Sequence, residues 1–388
     1  MKIIYFGSGN QIKSGFTTLK DRDLVLNTAT NNREQYMVSL LKTLNTKLVY
    51  VSSAYGLKKG PFRTQKLNTA KLDFVALGYW SRGLRRMVTS LSASFIFIIT
   101  NVKKGDLIIT YNFPPIYALP LLIMKLFIDF KLVINFEDFF NEGDWRAGIY
   151  SFFNELGLKR SNAFIAVSEG TKKFVTDLKP NAKVVVNGGY YLQKVSPEKK
   201  ITRQDGAPIR ILYSGTLDQE RGIVNLLSSF KINPSLNFNL RLSGKGPLDN
   251  YIIEASKADS RINYLGYLGD EEYASEVDNA DICICSQWSS ISVNFPSKIT
   301  SYLSLGKIVL CTEISSLINS PYKDLLFFYD DENENENENG LWSSLEDIKD
   351  NFDSLILNTP NRAKSFQNLM IKQEAELIDL LRSQFLRV

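Results

Sequence analysis

The segment Ile211-Leu-Tyr-Ser-Gly-Thr-Leu217 reads as a buried strand running into a glycine turn, and Leu240-Arg-Leu-Ser-Gly-Lys-Gly-Pro247 repeats the pattern. Arg221-Gly222 heads a helix signal after the first turn. Farther on, Asn294-Phe-Pro-Ser-Lys298 leads into the helical Tyr302-Leu-Ser-Leu-Gly-Lys307. Two glycine turns at strand ends, followed by a Pro-Ser-Lys turn opening a helix, form a layout suited to a phosphorylated ligand. Backbone N–H groups at such turns bind anions, and a nearby Arg or Lys adds charge. Each element is weak evidence alone, and their order and spacing carry more.

Working outward, near-continuous apolar strands alternate with helical patterns along the whole chain. Strands are expected at Lys2–Phe6, Lys47–Ser52, Asp73–Leu77, Asp106–Thr110, Lys131–Phe136, Ala163–Val167 and Lys183–Val186. Helical spacing fills the gaps at Arg33–Leu44, Ile116–Ile128, Trp145–Leu158 and Glu169–Leu178. A second series of strands is expected at Ile209–Ser214, Asn239–Ser243, Arg261–Leu265, Asp281–Cys285 and Ile308–Cys311. Apolar strands of this kind belong to parallel sheets covered on both faces. The pattern predicts an α/β protein of two doubly wound domains facing across a cleft. Polar, aperiodic Gln193–Pro208 reads as the linker. The expected division is an N-terminal domain over 1–192, a linker over 193–208 and a C-terminal domain over 209–360. A last helix, 361–388, is placed to pack back on the N-terminal domain.

Composition narrows the chemistry. The 388 residues suffice for two cores, and 44% apolar with 22% charged residues describes an ordinary globular chain. Lys2-Ile-Ile-Tyr-Phe6 resembles a first strand rather than a leader, and the Ile116–Ile128 run, broken by Pro120 and Lys125, is too short to span a bilayer. Histidine is absent, which removes His-based triads, His general bases and His-ligated zinc. Cys283, Cys285 and Cys311 lack metal-ligand spacing and read as buried small side chains in a reducing cytoplasm. The Asp331–Gly340 repeat of Asn and Glu cannot bury apolar surface and reads as a surface loop.

Charge is divided unevenly. Residues 1–190 hold 26 Lys and Arg against 13 Asp and Glu, whereas the remainder holds 20 against 28. The basic half is expected to face something anionic: a membrane surface, a lipid diphosphate or nucleic acid. Arg82, Arg85 and Arg86 crowd the start of an apolar helical stretch, Ser81–Thr100. They read either as the solvated end of a core helix or as a contact with anionic headgroups. Aromatic platforms for bases are not evident among them, so no nucleic acid partner is expected.

The second half resembles the donor-binding domain of the group-1, family 4-like, GT-B glycosyltransferases. The resemblance rests on Tyr213-Ser-Gly-Thr-Leu-Asp-Gln-Glu-Arg-Gly222, Gly244-Lys-Gly-Pro247, Tyr264-Leu-Gly-Tyr267 and Ala280-Asp-Ile-Cys-Ile284. Phe295-Pro-Ser-Lys298 and Tyr302-Leu-Ser-Leu-Gly306 complete it. The N-terminal half matches more loosely, through Ala163-Phe-Ile-Ala-Val-Ser-Glu169 and Val186-Asn-Gly-Gly189. The resemblance implies a donor site built from Gly215, Thr216, Arg221, Gly244, Gly246, Asn294, Pro296, Ser297, Lys298 and Ser301. The chain also departs from the family. Val293 and Ser301 stand where its Glu-x7-Glu motif has carboxylates, and Gly215-Thr216 replaces Gly-Arg.

In the N-terminal half, Val133-Ile-Asn-Phe-Glu-Asp-Phe139 ends a strand with adjacent carboxylates where many family members carry His-Asp. Glu137 and Asp138 are therefore the candidate catalytic pair, orienting an acceptor hydroxyl or stabilising oxocarbenium-like charge. Salt bridges from Glu137 to Lys131 or Arg146 are the structural alternative. The loop Gly7-Ser-Gly-Asn-Gln-Ile-Lys-Ser-Gly15 supplies Gly9 and Gly15 as a phosphate loop. Asn32 and Arg33, at the next helix start, suit acceptor contacts or N-capping equally.

The resemblance implies a retaining hexosyltransferase-like enzyme that needs no metal or other cofactor. It would move a sugar from a nucleotide-diphosphate donor to a growing surface glycan (O-antigen, capsule or exopolysaccharide) on a lipid-linked acceptor. Expected partners are the nucleotide sugar, the lipid-linked or glycan acceptor, an anionic membrane surface and other glycan-assembly enzymes. The expected location is the cytoplasmic, inner face of the cell membrane. Two alternatives stay open: a GT-B-like subunit that binds glycan or lipid and supports an active partner, and a sugar-nucleotide epimerase.

Overall fold

The computed structural model describes residues 1–7, 28–52, 63–70, 72–80, 84–137, 145–190, 206–232, 237–287, 295–330 and 340–384. The chain divides into two compact units, the first comprising Met1–Leu192 with Lys372–Val388 and the second Gln193–Ile371.

The first unit is built on eight strands: β1 (Ile3–Gly7), β2 (Leu48–Ser52), β3 (Gln65–Asn68), β4 (Leu72–Ala76), β5 (Leu107–Tyr111), β6 (Lys131–Phe136), β7 (Ala163–Ala166) and β8 (Val184–Val186). Their spatial order is β3-β4-β2-β1-β5-β6-β7-β8. All pairings are parallel except β3 with β4. Five helices accompany the sheet: α1 (Thr28–Lys42), α2 (Leu84–Asn101), α3 (Pro115–Met124), α4 (Trp145–Arg160) and α5 (Glu169–Leu178). On one face, Ile4, Phe6, Ile108, Leu132, Ile134 and Phe164 meet Phe97 and Ile98 of α2, Leu121 of α3, Leu158 of α4 and Val175 of α5. Each such aliphatic or aromatic side chain contributes about 1.5–3 kcal/mol when fully buried. Ser168 caps α5 by accepting from the Thr171 N–H, and Glu169 suits the positive end of that helix.

The second unit is a six-stranded, wholly parallel sheet in the order β11-β10-β9-β12-β13-β14. Its strands are β9 (Ile209–Ser214), β10 (Phe238–Ser243), β11 (Ile262–Gly266), β12 (Ile282–Cys285), β13 (Ile308–Thr312) and β14 (Phe327–Tyr329). Its helices are α6 (Ile223–Ile232), α7 (Asp249–Ala258), α8 (Asp270–Asn279), α9 (Lys298–Ser304), α10 (Ser315–Ile318), α11 (Gly340–Asp350) and α12 (Phe352–Leu357). Helix α13 (Thr359–Gln384) begins in this unit and ends in the first. Leu226, Leu227 and Phe230 of α6 pack with Trp342 and Leu345 of α11 against Ile211, Leu240 and Ile284. Both units are thus doubly wound α/β layers, as the strand pattern implied.

Strand order reverses between β1 and β5 in the first sheet and between β9 and β12 in the second. At such switch points the loops from neighbouring strand ends diverge and leave a crevice. Two expectations of local structure need correction. Helix α1 starts at Thr28, so Asn32 and Arg33 lie inside it and cannot cap it; its polar first turn gives no apolar periodicity to read. Arg221 ends a 3₁₀ turn, Gln219–Arg221, and left-handed Gly222 separates it from α6.

Candidate functional site

The second unit gathers its glycine turns at the C-terminal edge of the sheet. The Gly215 N–H donates to the Ser243 carbonyl at 3.0 Å, Leu217 N–H to Lys245 at 3.2 Å, and Leu248 N–H to Leu217 at 3.1 Å. A Cβ on Gly244 would stand 1.8 Å from the Gly215 carbonyl oxygen, and one on Gly246 2.1 Å from that of Leu217. Gly244 also holds φ at 146°. The turns after β9 and β10 are thus packed backbone on backbone, which only glycine permits. Gly215 and Thr216 remain exposed at the surface of this pair.

Above the switch point stand two cations. Lys298 is the first residue of α9, and its ammonium donates to the Ser214 carbonyl at 3.0 Å. It also lies 4.3 Å over the Tyr213 ring, whose hydroxyl donates to the Thr216 carbonyl at 2.8 Å. Burial lowers the Lys298 pKa, and the Arg221 charge lowers it further against the Cys285 thiol. Arg221 is held on both sides of its backbone: its N–H donates to Asp218 Oδ1 at 2.9 Å, and its carbonyl accepts from Ser286 Oγ at 2.9 Å. Its guanidinium donates to Gln287 Oε1 at 2.8 Å. Gln287 is fixed in turn, since its carbonyl accepts from Thr312 Oγ1 at 2.5 Å. Two cations beside the exposed Gly215–Thr216 turn can meet a diphosphate.

Tyr213, Asp218, Ser286, Gln287 and Thr312 are therefore part of this site, although sequence reasoning passed over them. Ser286 and Gln287 follow β12 directly, and that strand-end position was the available signal. The expected donor residues have different fates. Pro296 is buried, while Ser297 and Ser301 are half-buried. The Ser301 carbonyl accepts from Ser304 Oγ at 2.7 Å. Asn294 lies outside the described residues, as does Val293. Beneath Lys298, Cys285 and Cys311 sit opposite each other on β12 and β13, free and buried. A hydrogen bond from Cys311 and the charges of Lys298 and Arg221 hold the Cys285 thiol below its usual range.

In the first unit, Glu137 follows β6 and is buried. Arg33 Nε donates to its Oε1 at 2.7 Å. The same guanidinium reaches Asn187 Oδ1 and the Gly189 carbonyl, both at 2.9 Å, and the Asn187 carbonyl. Burial opposes the Arg33 charge, but Glu137, Tyr36 and Tyr5 together outweigh it and raise the pKa. Asn112 adopts φ of 50° at the end of β5, and its Oδ1 accepts from the Glu137 N–H at 2.8 Å. Asparagine adopts this left-handed conformation more readily than most side chains. The Arg33 guanidinium lies 5.6 Å over the Tyr36 ring, and the Tyr36 hydroxyl donates to Glu374 of α13 at 2.9 Å. The structure thus joins Arg33 to Glu137, and half-buried Asn32 precedes Arg33 in α1.

Asp138, Gly9, Gly15 and Arg82 lie outside the described residues. Arg85 is exposed, and Arg86 lies 4.4 Å over the Tyr79 ring. Among the described residues, no group of three or more Cys, Asp or Glu side chains is gathered to hold a metal ion. No helix among them is long and apolar enough to cross a membrane.

Comparison with known proteins finds a family match in the second unit and likenesses of fold over the whole chain. Residues 194–320 match the family described as glycosyl transferases group 1. No curated protein matches the sequence. Among solved structures, sucrose-phosphate synthase from Thermosynechococcus elongatus is similar at a TM-score of 0.71 and 13% identity, over 99% of this chain and 100% of that one. A glycosyltransferase from Rickettsia africae aligns at 0.66 and 14%, over 98% of each chain. Anabaena HepE, solved in complex with UDP, aligns at 0.65 and 12%, over 99% of this chain and 100% of that one. Residues 194–320 thus match the group-1 glycosyl transferases, and the two doubly wound sheets have the GT-B fold of these solved structures.

Proposed function

We infer that this protein transfers a sugar from a nucleotide-diphosphate donor to a hydroxyl of a growing surface glycan on a lipid-diphosphate carrier. The observation that carries the reading is the pairing of Lys298 and Arg221 over the β9–β12 switch point, beside the exposed Gly215–Thr216 turn. Their charges neutralise the donor diphosphate, so the departing nucleotide needs no metal. That HepE was solved with UDP supports a nucleoside diphosphate as the ligand class. Retention of anomeric configuration follows the family resemblance, with the leaving phosphate assisting front-face attack.

The acceptor belongs to the basic N-terminal half, working at the inner face of an anionic membrane, where other glycan-assembly enzymes supply its substrate. There Glu137, braced by Arg33 and Asn112, orients the acceptor hydroxyl. Ser301, standing where the family has a ribose-binding glutamate, favours a second reading: a subunit that binds glycan without turnover. A donor screen read by product mass, with a lipid-linked acceptor pool, separates the two. A glycosylated product supports transfer; nucleotide binding without product from any donor supports the subunit.

A further inference from the structure

The N-terminal edge of the first sheet carries a feature that the donor and acceptor residues do not use, and the inference from it rests on the membrane contact of the proposed function. Four turns meet there. The Gly105 N–H donates to the Asp129 carbonyl at 2.8 Å, Lys131 N–H to Asp106 at 2.9 Å, and Asn162 N–H to Leu132 at 2.8 Å. The Phe164 N–H donates to the Lys183 carbonyl at 2.8 Å and brings in the turn before β8. Turns 103–106, 125–131, 159–162 and 179–183 hold eight cations: Lys103, Lys104, Lys125, Lys131, Lys159, Arg160, Lys179 and Lys183. Against them stand two carboxylates. Asp106 is buried and accepts from the Lys2 and Lys103 N–H groups, while Asp129 is exposed. The nearest further exposed acids in sequence are Asp177, which pairs with Lys173 at 2.8 Å, and Glu155 on α4.

From the middle of this basic edge projects an apolar tip. Leu126 is 67% exposed and Phe127 77% exposed. Their N–H groups are fixed to Ile123 and Met124 at 3.1 and 3.0 Å, so the tip is an ordered turn. Behind it the apolar surface continues. Helix α2 packs on α3 and α3 on α4, and Ile96, Ile99 and Phe152 on their outer faces are also exposed. Scattered exposed apolar residues are ordinary, but a leucine and a phenylalanine at one tip within a basic rim are not. Lys125 and Lys179 form the base of that rim. Lys125 Nζ donates to the Phe130 carbonyl at 2.8 Å, and Lys179 Nζ to those of Leu158 and Ser161 at 3.1 and 2.8 Å. Lys103, Lys104, Lys159 and Arg160 extend outward, exposed.

We propose that this edge is a docking surface for a lipid bilayer with anionic headgroups, with Leu126 and Phe127 entering the acyl boundary and the lysine rim meeting the headgroups. Charge complementarity selects this occupant: an apolar anchor joined to a basic rim is the two-part signal that holds a peripheral protein on such a surface. It stands at the end of α2 opposite Arg85 and does not require Arg82, Arg85 or Arg86.

Flotation of the full chain tests it, with phosphatidylcholine vesicles made with and without phosphatidylglycerol and no donor present. The wild type floats with the anionic vesicles only, and less as salt rises. Leu126→Ser with Phe127→Ser lowers the partition coefficient by about tenfold or more, as does Lys103→Glu with Lys104→Glu. Both pairs are exposed, so thermal midpoints stay at the wild-type value. Absence of wild-type flotation, equal flotation on neutral vesicles, or unchanged flotation of both double variants overturns the proposal. So does a dimer in sedimentation velocity that Phe127→Ser dissolves. Because no nucleotide enters the assay, this surface and the sugar-transfer reading fail or stand separately.

Discussion

The ammonium of Lys298 donates to the Ser214 carbonyl at 3.0 Å, tying the first turn of α9 to the end of β9. This contact sets the charge over the switch point before any ligand arrives. It predicts that Lys298→Met and Arg221→Met each weaken nucleoside diphosphate binding by about 1.5–3 kcal/mol, the worth of one charge-assisted contact. Calorimetric titration checks this, and equal affinities for both variants and the wild type remove the two residues from the site.

The depressed Lys298 pKa gives two pH effects of opposite sign. In the free protein the charged form is disfavoured by burial, so stability rises as pH climbs through the lowered pKa toward the ordinary lysine value. Diphosphate affinity moves the other way, flat at lower pH and falling as the ammonium deprotonates. Titrations between about pH 7 and about pH 10 should show that fall in the wild type. Lys298→Met should flatten it.

Arg33 and Glu137 form a buried pair whose members lie 104 residues apart. Removing one partner leaves an uncompensated buried charge, so Arg33→Leu should cost about 3–5 kcal/mol in urea unfolding. Arg33→Leu with Glu137→Leu should cost less than the two single changes summed. Additive losses would mean that the two residues are not energetically coupled.

The glycine turns give a sharper contrast. Gly244→Ala forces a methyl to 1.8 Å from the Gly215 carbonyl oxygen at a left-handed φ, and should destabilise by upward of about 2 kcal/mol. Gly148 lies in α4 with open space around its Cβ position, so Gly148→Ala should stabilise by about 0.5–1 kcal/mol. Thermal melts of the two variants should shift in opposite directions.

Most of the sheet framework is legible in the sequence because its strands are apolar on both faces. Strands β6 and β9 are where their apolar runs place them. Strand β3, Gln65–Asn68, escapes that reading because it is a polar, largely exposed, antiparallel edge. Strand β14, Phe327–Tyr329, escapes it as well. At the site, Lys298 is legible as the head of a helix after Pro-Ser. Arg221 is misread as opening a helix, because Asp218 captures its N–H and Gly222 turns the chain first. The Glu137 partner is not legible at all. The sequence neighbours Lys131 and Arg146 suggest a bridge, and only the fold brings Arg33 of α1 to it.

The central claim is that the β9–β12 switch point holds the diphosphate of a nucleotide sugar. Its most direct test is calorimetric titration of the wild-type chain with a panel of nucleoside diphosphates. Saturable one-to-one binding of at least one of them, lost when Lys298 and Arg221 are both replaced by Met, is the expected result. No binding to any of them, or binding that survives the double replacement, would contradict it.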